Sequence, residues 1–269
     1  TTPEAPTFDA ARLNAVLGAQ PEAAKARYGA RHPADTLAFF GLTPGMTVVE
    51  ALPGGGWYSK ILIDYLGPQG ELVGADYALS MWPKFGFFDN AFVEQKKTWT
   101  TDWPAQAAEW RSAGSAPISA FVFNELPASR HGTADAVLFV RALHNFARFN
   151  DDGGYLDSAL GEAFAVLKPG GIVGVVQHEA RDDMSDAFAT GARGYLKKAY
   201  VIQKMREAGF EYVGSRDINA NPNDRPTEDD IVWRLPPSLV DSREDPVRRD
   251  QMLSIGESHR MTLKFRKPR

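Results

Sequence analysis

The chain has 269 residues, 43% apolar and 24% charged, with a net charge of −4 and no basic block. That length and balance describe a folded globular protein built around one substantial core, and they argue against a nucleic-acid partner. With no cysteine, disulfides, thiol catalysis and thiolate metal sites are excluded, and no apolar run reaches the length of a membrane span.

In chain order, residues 1–32 read as a polar N-terminal helical arm. Within it, "FDAARLNAVLGA" sets Phe8, Leu13, Val16 and Leu17 near helical spacing and stops at Gly18. The remainder, 33–269, reads as a single domain. "HPADTLAFFGL" has Pro33 at a helix start and Gly41 at its stop. A strand at "MTVVEAL" runs through a glycine-rich turn into the helix "WYSKILIDYLG". Further strands follow at "GELVGADY", "PISAFVFNE", "ADAVLFVRAL" and "GIVGVVQHEA". Helices at "YLDSALGEAFAVLKPGG" and "AYVIQKMREAGF" flank the last of these, and "EYVGSRDI" and "HRMTLKFRKP" close the chain as strands. Strands alternating with helices imply an α/β fold in three layers: a seven-stranded, mostly parallel sheet covered on both faces. The last two strands have no helix pattern between them, so they form a C-terminal antiparallel hairpin.

Two segments exceed what such connections require. The stretch 77–115 is an insertion rich in aromatics, nine of them between Tyr77 and Trp110, which serve either as core or as a lid over an apolar acceptor. The connection at about 219–258 is long, Pro-rich and charged, as functional loops often are.

Glu50 ends the first strand, and Leu52-Pro53-Gly54-Gly55-Gly56-Trp57-Tyr58 follows. A strand, a glycine-rich turn and a helix present bare backbone and a positive helix end to a ligand, or else simply make a tight turn. A P-loop needs Gly-Lys-Ser/Thr after the glycines, and Trp57-Tyr58-Ser59-Lys60 stands there instead. A pyrophosphate loop wants a glycine three residues beyond Gly56, and none is present. Asp76, 26 residues after Glu50, ends the second strand, where a carboxylate can accept both hydroxyls of a ribose or merely cap a helix.

With "LKPGG" before the fifth strand, this pattern resembles the class I S-adenosylmethionine-dependent methyltransferases over about residues 33–269. Glu50, Gly54 and Gly56 fall on their acid and Gly-x-Gly-x-Gly motif. Leu52 stands where its first glycine would be, a departure that bears on whether the cofactor site is functional. "PGGGWY", a His after the fourth strand, a His ending the fifth and "LKFRKP" are similar to a bacterial group known as predicted methyltransferases. In that group an acid often follows the first His, and Asn145 takes its place here. The resemblance implies S-adenosylmethionine as cofactor, held by Glu50, Pro53, Gly54, Gly55, Gly56, Tyr58, Asp76 and Tyr77. Glu50 would hold the cofactor's ammonium directly or through water, and Glu125 would approach the adenine.

Strand ends in open α/β sheets face the ligand, which makes His144 the first candidate base and His178 the second; a structural hydrogen bond is the alternative for each. Arg141 and Asn145 orient an acceptor or bind backbone carbonyls. No metal is expected, since nothing indicates that the two histidines converge with Asp182 or Asp183, and the Gly-x-Ser-x-Gly of a serine hydrolase is absent. Lack of an Asn/Asp-Pro-Pro-Tyr/Phe motif favours a small-molecule acceptor and O-methylation. A nicotinamide-linked oxidoreductase and a non-catalytic binding protein on a methyltransferase scaffold are the competing readings. The chain begins Thr1-Thr2-Pro3, compatible with a processed start. A periplasmic location therefore stands beside the cytoplasmic one that cofactor supply favours. A homodimer is left open, and no membrane association is expected.

Overall fold

The computed structural model describes residues 7–269. Its strands are β1 (Thr47–Ala51), β2 (Glu71–Asp76), β3 (Ile118–Val122), β4 (Ala134–Val140), β5 (Leu167–Ala180), β6 (Leu196–Lys197), β7 (Glu211–Arg216) and β8 (Arg260–Arg266). The helices before β2 are α1 (Ala10–Ala19), α2 (Glu22–Lys25), α3 (Tyr28–Arg31), α4 (Pro33–Phe40) and α5 (Trp57–Leu66). Later come α6 (Asn90–Lys96), α7 (Trp99–Ala108), α8 (Leu143–Arg148), α9 (Tyr155–Val166), α10 (Lys198–Glu207) and α11 (Pro246–Ile255).

The main sheet runs β3-β2-β1-β4-β5-β8-β7, with the two-residue β6 pairing beside β5. Its first five strands are parallel, and β8 lies antiparallel between β5 and β7. The seven expected strands are all present; β6 is additional.

Side chains alternate across the sheet, and this alternation makes the layers. Val48, Leu72, Ala136 and Leu138 enter an apolar cluster with residues of α1, α4, α5 and α7. Their chain neighbours Val49, Val73, Val137 and Phe139 enter the opposite cluster with residues of α8, α9 and α10. A strand buried on both faces is mostly apolar, as these are, with Glu50 and Asp76 the buried acidic exceptions toward the carboxyl ends of β1 and β2. Leu13 and Leu17 of α1 belong to the first cluster, so this helix of the N-terminal arm packs onto the core. The aromatic stretch divides in the same way, Trp82 and Phe85 going to one cluster and Trp103 to the other.

Between β1 and β4 the order of connections reverses. From β1 the chain winds outward through β2 and β3, then returns to β4 and β5 on the other side. Crossovers leave on opposite faces there and open a crevice at the carboxyl ends of the strands. Residues 52–56, Asp76 and residues 141–145 all leave the sheet at that end.

Candidate active site

Two cavities meet at the crevice, and Leu52 is a wall of both. The larger, about 410 Å³, is lined by Leu52, Pro53, Gly54 and Asp76 from the strand ends, with Trp82, Lys96, Trp99 and Trp103 from the aromatic insertion. The smaller, about 270 Å³, lies past β4 and is lined by Arg141, His144, Asn145, His178, Glu257 and Ser258, with Trp233 above.

The loop after β1 owes its shape to three left-handed residues, Leu52 (φ 55°), Gly54 (φ 52°) and Gly56 (φ 77°). A left-handed backbone brings Cβ against the following carbonyl, which is why glycine is favoured there. Leu52 therefore keeps the backbone of the missing glycine while adding a side chain between the two cavities. The glycines differ in what their bareness admits. A Cβ on Gly56 would lie 2.4 Å from the Trp110 ring, so an indole of the protein already fills that space. A Cβ on Gly55 would meet nothing within 4 Å; Gly55 is exposed and lines neither cavity, so of the three glycines only Gly54 is a cavity wall.

Asp76 is 3% exposed. One carboxylate oxygen accepts from the Tyr77 amide at 2.9 Å, and the other pairs with Lys96 Nζ at 2.7 Å. Burial raises its pKa, and Lys96 opposes that rise. Lys96 also lies 4.2 Å over the Trp82 ring. Lys96 thus occupies the carboxylate that a ribose would need, and it escaped the sequence reading because it sits on an insertion helix.

Glu50 is buried beneath the loop and is not a wall of either cavity. Its Oε2 accepts from Ser59 Oγ at 2.6 Å in the first turn of α5. Burial pushes its pKa up to about 7, with the Ser59 hydrogen bond opposing. Tyr58 lies buried in the α1–α4–α5 cluster and touches neither cavity. Tyr77 is buried and its hydroxyl accepts from Asn145 Nδ2 at 2.8 Å, which fixes Asn145 between β2 and β4. Glu125 is exposed at the turn after β3 and lines neither cavity.

His144 and His178 come together, ring centroids 5.4 Å apart. The Gln177 amide determines the state of His144. Its Nε2 donates to the carbonyls of His178 and Gly194, so its Oε1 is the acceptor toward His144. Nδ1 of His144, 3.4 Å from that oxygen, is then the protonated nitrogen, and Nε2 keeps its lone pair. Burial lowers the His144 pKa to about 4; the Gln177 contact opposes this and Arg141 reinforces it. His178 shares a hydrogen bond of 2.6 Å between Nδ1 and Ser258 Oγ, and burial first, then His144 and Arg141, holds its pKa well below the ordinary value. Both rings are neutral near pH 7. Among the described residues no three His, Asp or Glu side chains converge on a metal-sized point.

The long connection after β7 is ordered over this site. It supplies Val232, Trp233, Leu235, Ser238, Glu257 and Ser258 to the smaller cavity, with Pro236-Pro237 joined by a cis peptide bond. None of these was identified from the sequence. What the sequence did offer was the anomalous length and composition of the loop.

The larger cavity combines glycine backbone at Gly54, the buried carboxylate of Asp76 and aromatic walls. Two of those walls, Trp82 and Trp103, carry buried indole N–H groups with no partner among the described residues.

No protein-family model matches the chain, and no curated protein does. Similar solved structures number in the hundreds. A chain from the complex containing the Haloferax volcanii Trm112 methyltransferase activator is 15% identical, covers 96% of both chains and gives a TM-score of 0.54. The [4+2]-cyclase SpnF is 17% identical over 88% of this chain and 80% of its own, with a TM-score of 0.52. A Galdieria sulphuraria structure named for a sarcosine dimethylglycine methyltransferase is 14% identical over 98% and 91%, with a TM-score of 0.50. At these identities the likeness establishes the fold, that of class I methyltransferases. The cyclase is a reminder that the fold alone does not dictate the reaction.

Proposed function

We propose that the protein is an S-adenosylmethionine-dependent methyltransferase acting on a small molecule, with O-methylation the preferred chemistry. The observation that carries this is the pair of cavities at the switch point: one with glycine backbone and Asp76, the other with a neutral histidine, joined at Leu52. Gly54 would cradle the amino-acid end of the cofactor, and Asp76 would receive the ribose hydroxyls once Lys96 withdraws. Glu50 would act from beneath the loop, its carboxyl pushed by burial to a pKa of about 7 and ionising when a cationic ligand sits above it. Tyr77 would hold Asn145 in place rather than contact the cofactor.

Bound there, S-adenosylmethionine supplies an electrophilic methyl group. The chain's part is positioning and proton management. His144 Nε2, with Nδ1–H anchored on Gln177, accepts the acceptor's hydroxyl proton. His178 is held by Ser258 and gives the cavity its second polar wall. Arg141 and Asn145 orient the acceptor.

A nicotinamide site is less well supported, since Glu50 would sit beneath a pyrophosphate. A ligand-binding module without transferase activity is the second reading, favoured by Leu52 in the loop and by the Lys96–Asp76 pair. Titration with S-adenosylhomocysteine tests the site. Asp76→Ala should abolish detectable binding with an unchanged circular dichroism spectrum, and unaltered affinity in that variant would reduce Asp76 to a structural cap.

A further inference from the structure

Around the smaller cavity four guanidinium groups, those of Arg27, Arg31, Arg141 and Arg260, face a single carboxylate, Glu257. Arg27 donates to Glu257 through both Nε and Nη2. Arg31 Nε reaches both its oxygens at 3.1 Å, and Arg260 Nη1 reaches Oε2 at 3.1 Å. These contacts use up the roughly four lone-pair sites of a carboxylate. Arg260 also donates to the carbonyls of Ser258 and Ala30, and Arg31 stacks 4.7 Å from the Trp57 ring centre. Three of the four cations are therefore satisfied.

Arg141 is not. Its backbone amide bonds Val176 O at 2.6 Å. Arg141 lines the cavity, and among the described residues its guanidinium makes no hydrogen bond or ion pair and feels Glu257 only at longer range. The Arg141 side chain is partly open to the cavity, so it offers an accessible cation with no protein acceptor, and its residue is held in addition at φ 57°. Both features make sense if a ligand supplies the missing acceptor. The surroundings agree: the lining itself carries Arg141 and Glu257 with two neutral histidines, and the positive excess comes from Arg27, Arg31 and Arg260 bonded to Glu257.

We propose that the smaller cavity takes an acceptor bearing a carboxylate, received by the guanidinium of Arg141. The planar fork of arginine matches a carboxylate in two parallel hydrogen bonds. Trp233 and Asn145 are walls both of this cavity and of an apolar one of about 340 Å³ lined by Tyr77, Trp82, Phe85, Phe87 and Phe88. The acceptor is accordingly an aryl or alkyl carboxylate, its charge at Arg141 and its apolar body toward those rings. As a statement about a methyl acceptor this rests on the methyltransferase reading; as a statement about binding it stands alone.

Benzoate, its neutral isostere benzamide and inorganic phosphate, titrated by ligand-detected NMR into the full chain, separate the possibilities. Benzoate should bind at least tenfold more tightly than benzamide, and Arg141→Gln should bring the two within twofold. Arg141→Lys, keeping the charge without the fork, should fall between. The wild-type comparison needs no variant to fold. Equal binding of benzoate and benzamide, binding of neither, a tenfold preference surviving in Arg141→Gln, or phosphate binding more tightly than benzoate would overturn the proposal. S-adenosylhomocysteine titrated into the same sample reports on the cofactor separately. Charge-selective binding without it leaves the carboxylate site standing and removes the methyltransferase, and the converse result does the reverse.

Discussion

Lys96 is the side chain that most directly opposes cofactor entry, and replacing it by methionine keeps its length while removing the charge. At 2.7 Å, with the side chains of Lys96 and Asp76 18% and 4% exposed, the pair has a gross attraction of roughly 6 kcal/mol at an effective dielectric near 20. Most of that is offset by desolvation, leaving the ~1.5–3 kcal/mol typical of a hydrogen bond between charged groups. A ribose must displace this contact, so its loss should appear as tighter binding. About 2 kcal/mol corresponds to roughly thirtyfold in the dissociation constant of S-adenosylhomocysteine. The gain should be larger for S-adenosylmethionine, whose sulfonium is also repelled by the ammonium. Burial already raises the Asp76 pKa and Lys96 opposes that rise, so removing Lys96 raises it further and the titration belongs on the alkaline side, at pH 8. Isothermal titration calorimetry of Lys96→Met against Lys97→Met makes the comparison, because Lys97, just past the end of α6, pairs among the described residues with the exposed Glu94. Unchanged or weaker binding in Lys96→Met would refute the reasoning and make Lys96 either a bystander or a cofactor contact.

Three further outcomes follow from the loop and the buried groups. Leu52→Gly and Leu52→Ala lose nearly the same contacts, but only glycine relieves the left-handed strain, worth ~1–2 kcal/mol. Urea denaturation should find the glycine variant about 1 kcal/mol the more stable, and equal losses would remove strain from the account. Glu50, with its pKa raised to about 7, favours the folded state below its ordinary value near 4.5, and this contribution fades as pH rises through 7. Glu50→Gln should therefore gain stability over wild type between pH 5 and 9, by roughly 2–3 kcal/mol, in thermal melts; parallel curves would show Glu50 ionised in the folded protein. His144 has the opposite sign: with its pKa lowered to about 4, its contribution is complete above about 6.5 and is lost as pH falls toward 4. The two slopes oppose each other between 4.5 and 6.5. His144 should accordingly impose no fall in kcat/KM between pH 8 and 5, and an inflection near 6.5 that disappears in His144→Asn would contradict its burial.

Much of the fold was legible because its strands and helices carry strong local patterns. The runs at 47–51 and 134–140 are mostly apolar since both faces are buried, with Glu50 and Asp135 the acidic exceptions, and Gly41 ends α4 in the left-handed conformation its position suggested. β6 was not legible, since two residues carry no period. "LKPGG" read as a helix stop is instead the start of β5, the chain passing from α9 into the strand at Leu167 without a turn. In the site, the strand-end residues Asp76, Arg141, His144 and His178 could be found, because topology alone delivers strand ends to the crevice. Tyr58 could not be resolved: a residue in the first turn of α5 can face ligand or core, and packing with the N-terminal helices decides for the core. The arginine cluster draws on residues 27, 31, 141, 257 and 260, which no spacing rule links. Lys96 belongs to an insertion whose path no local signal prescribes.

The central claim is that the larger cavity is built for an adenosyl amino acid. Calorimetric titration of the wild-type chain with S-adenosylmethionine and, separately, with NAD tests it most directly. The account predicts one-to-one binding of S-adenosylmethionine and NAD binding at least tenfold weaker; tighter binding of NAD, or no binding of S-adenosylmethionine, would contradict it.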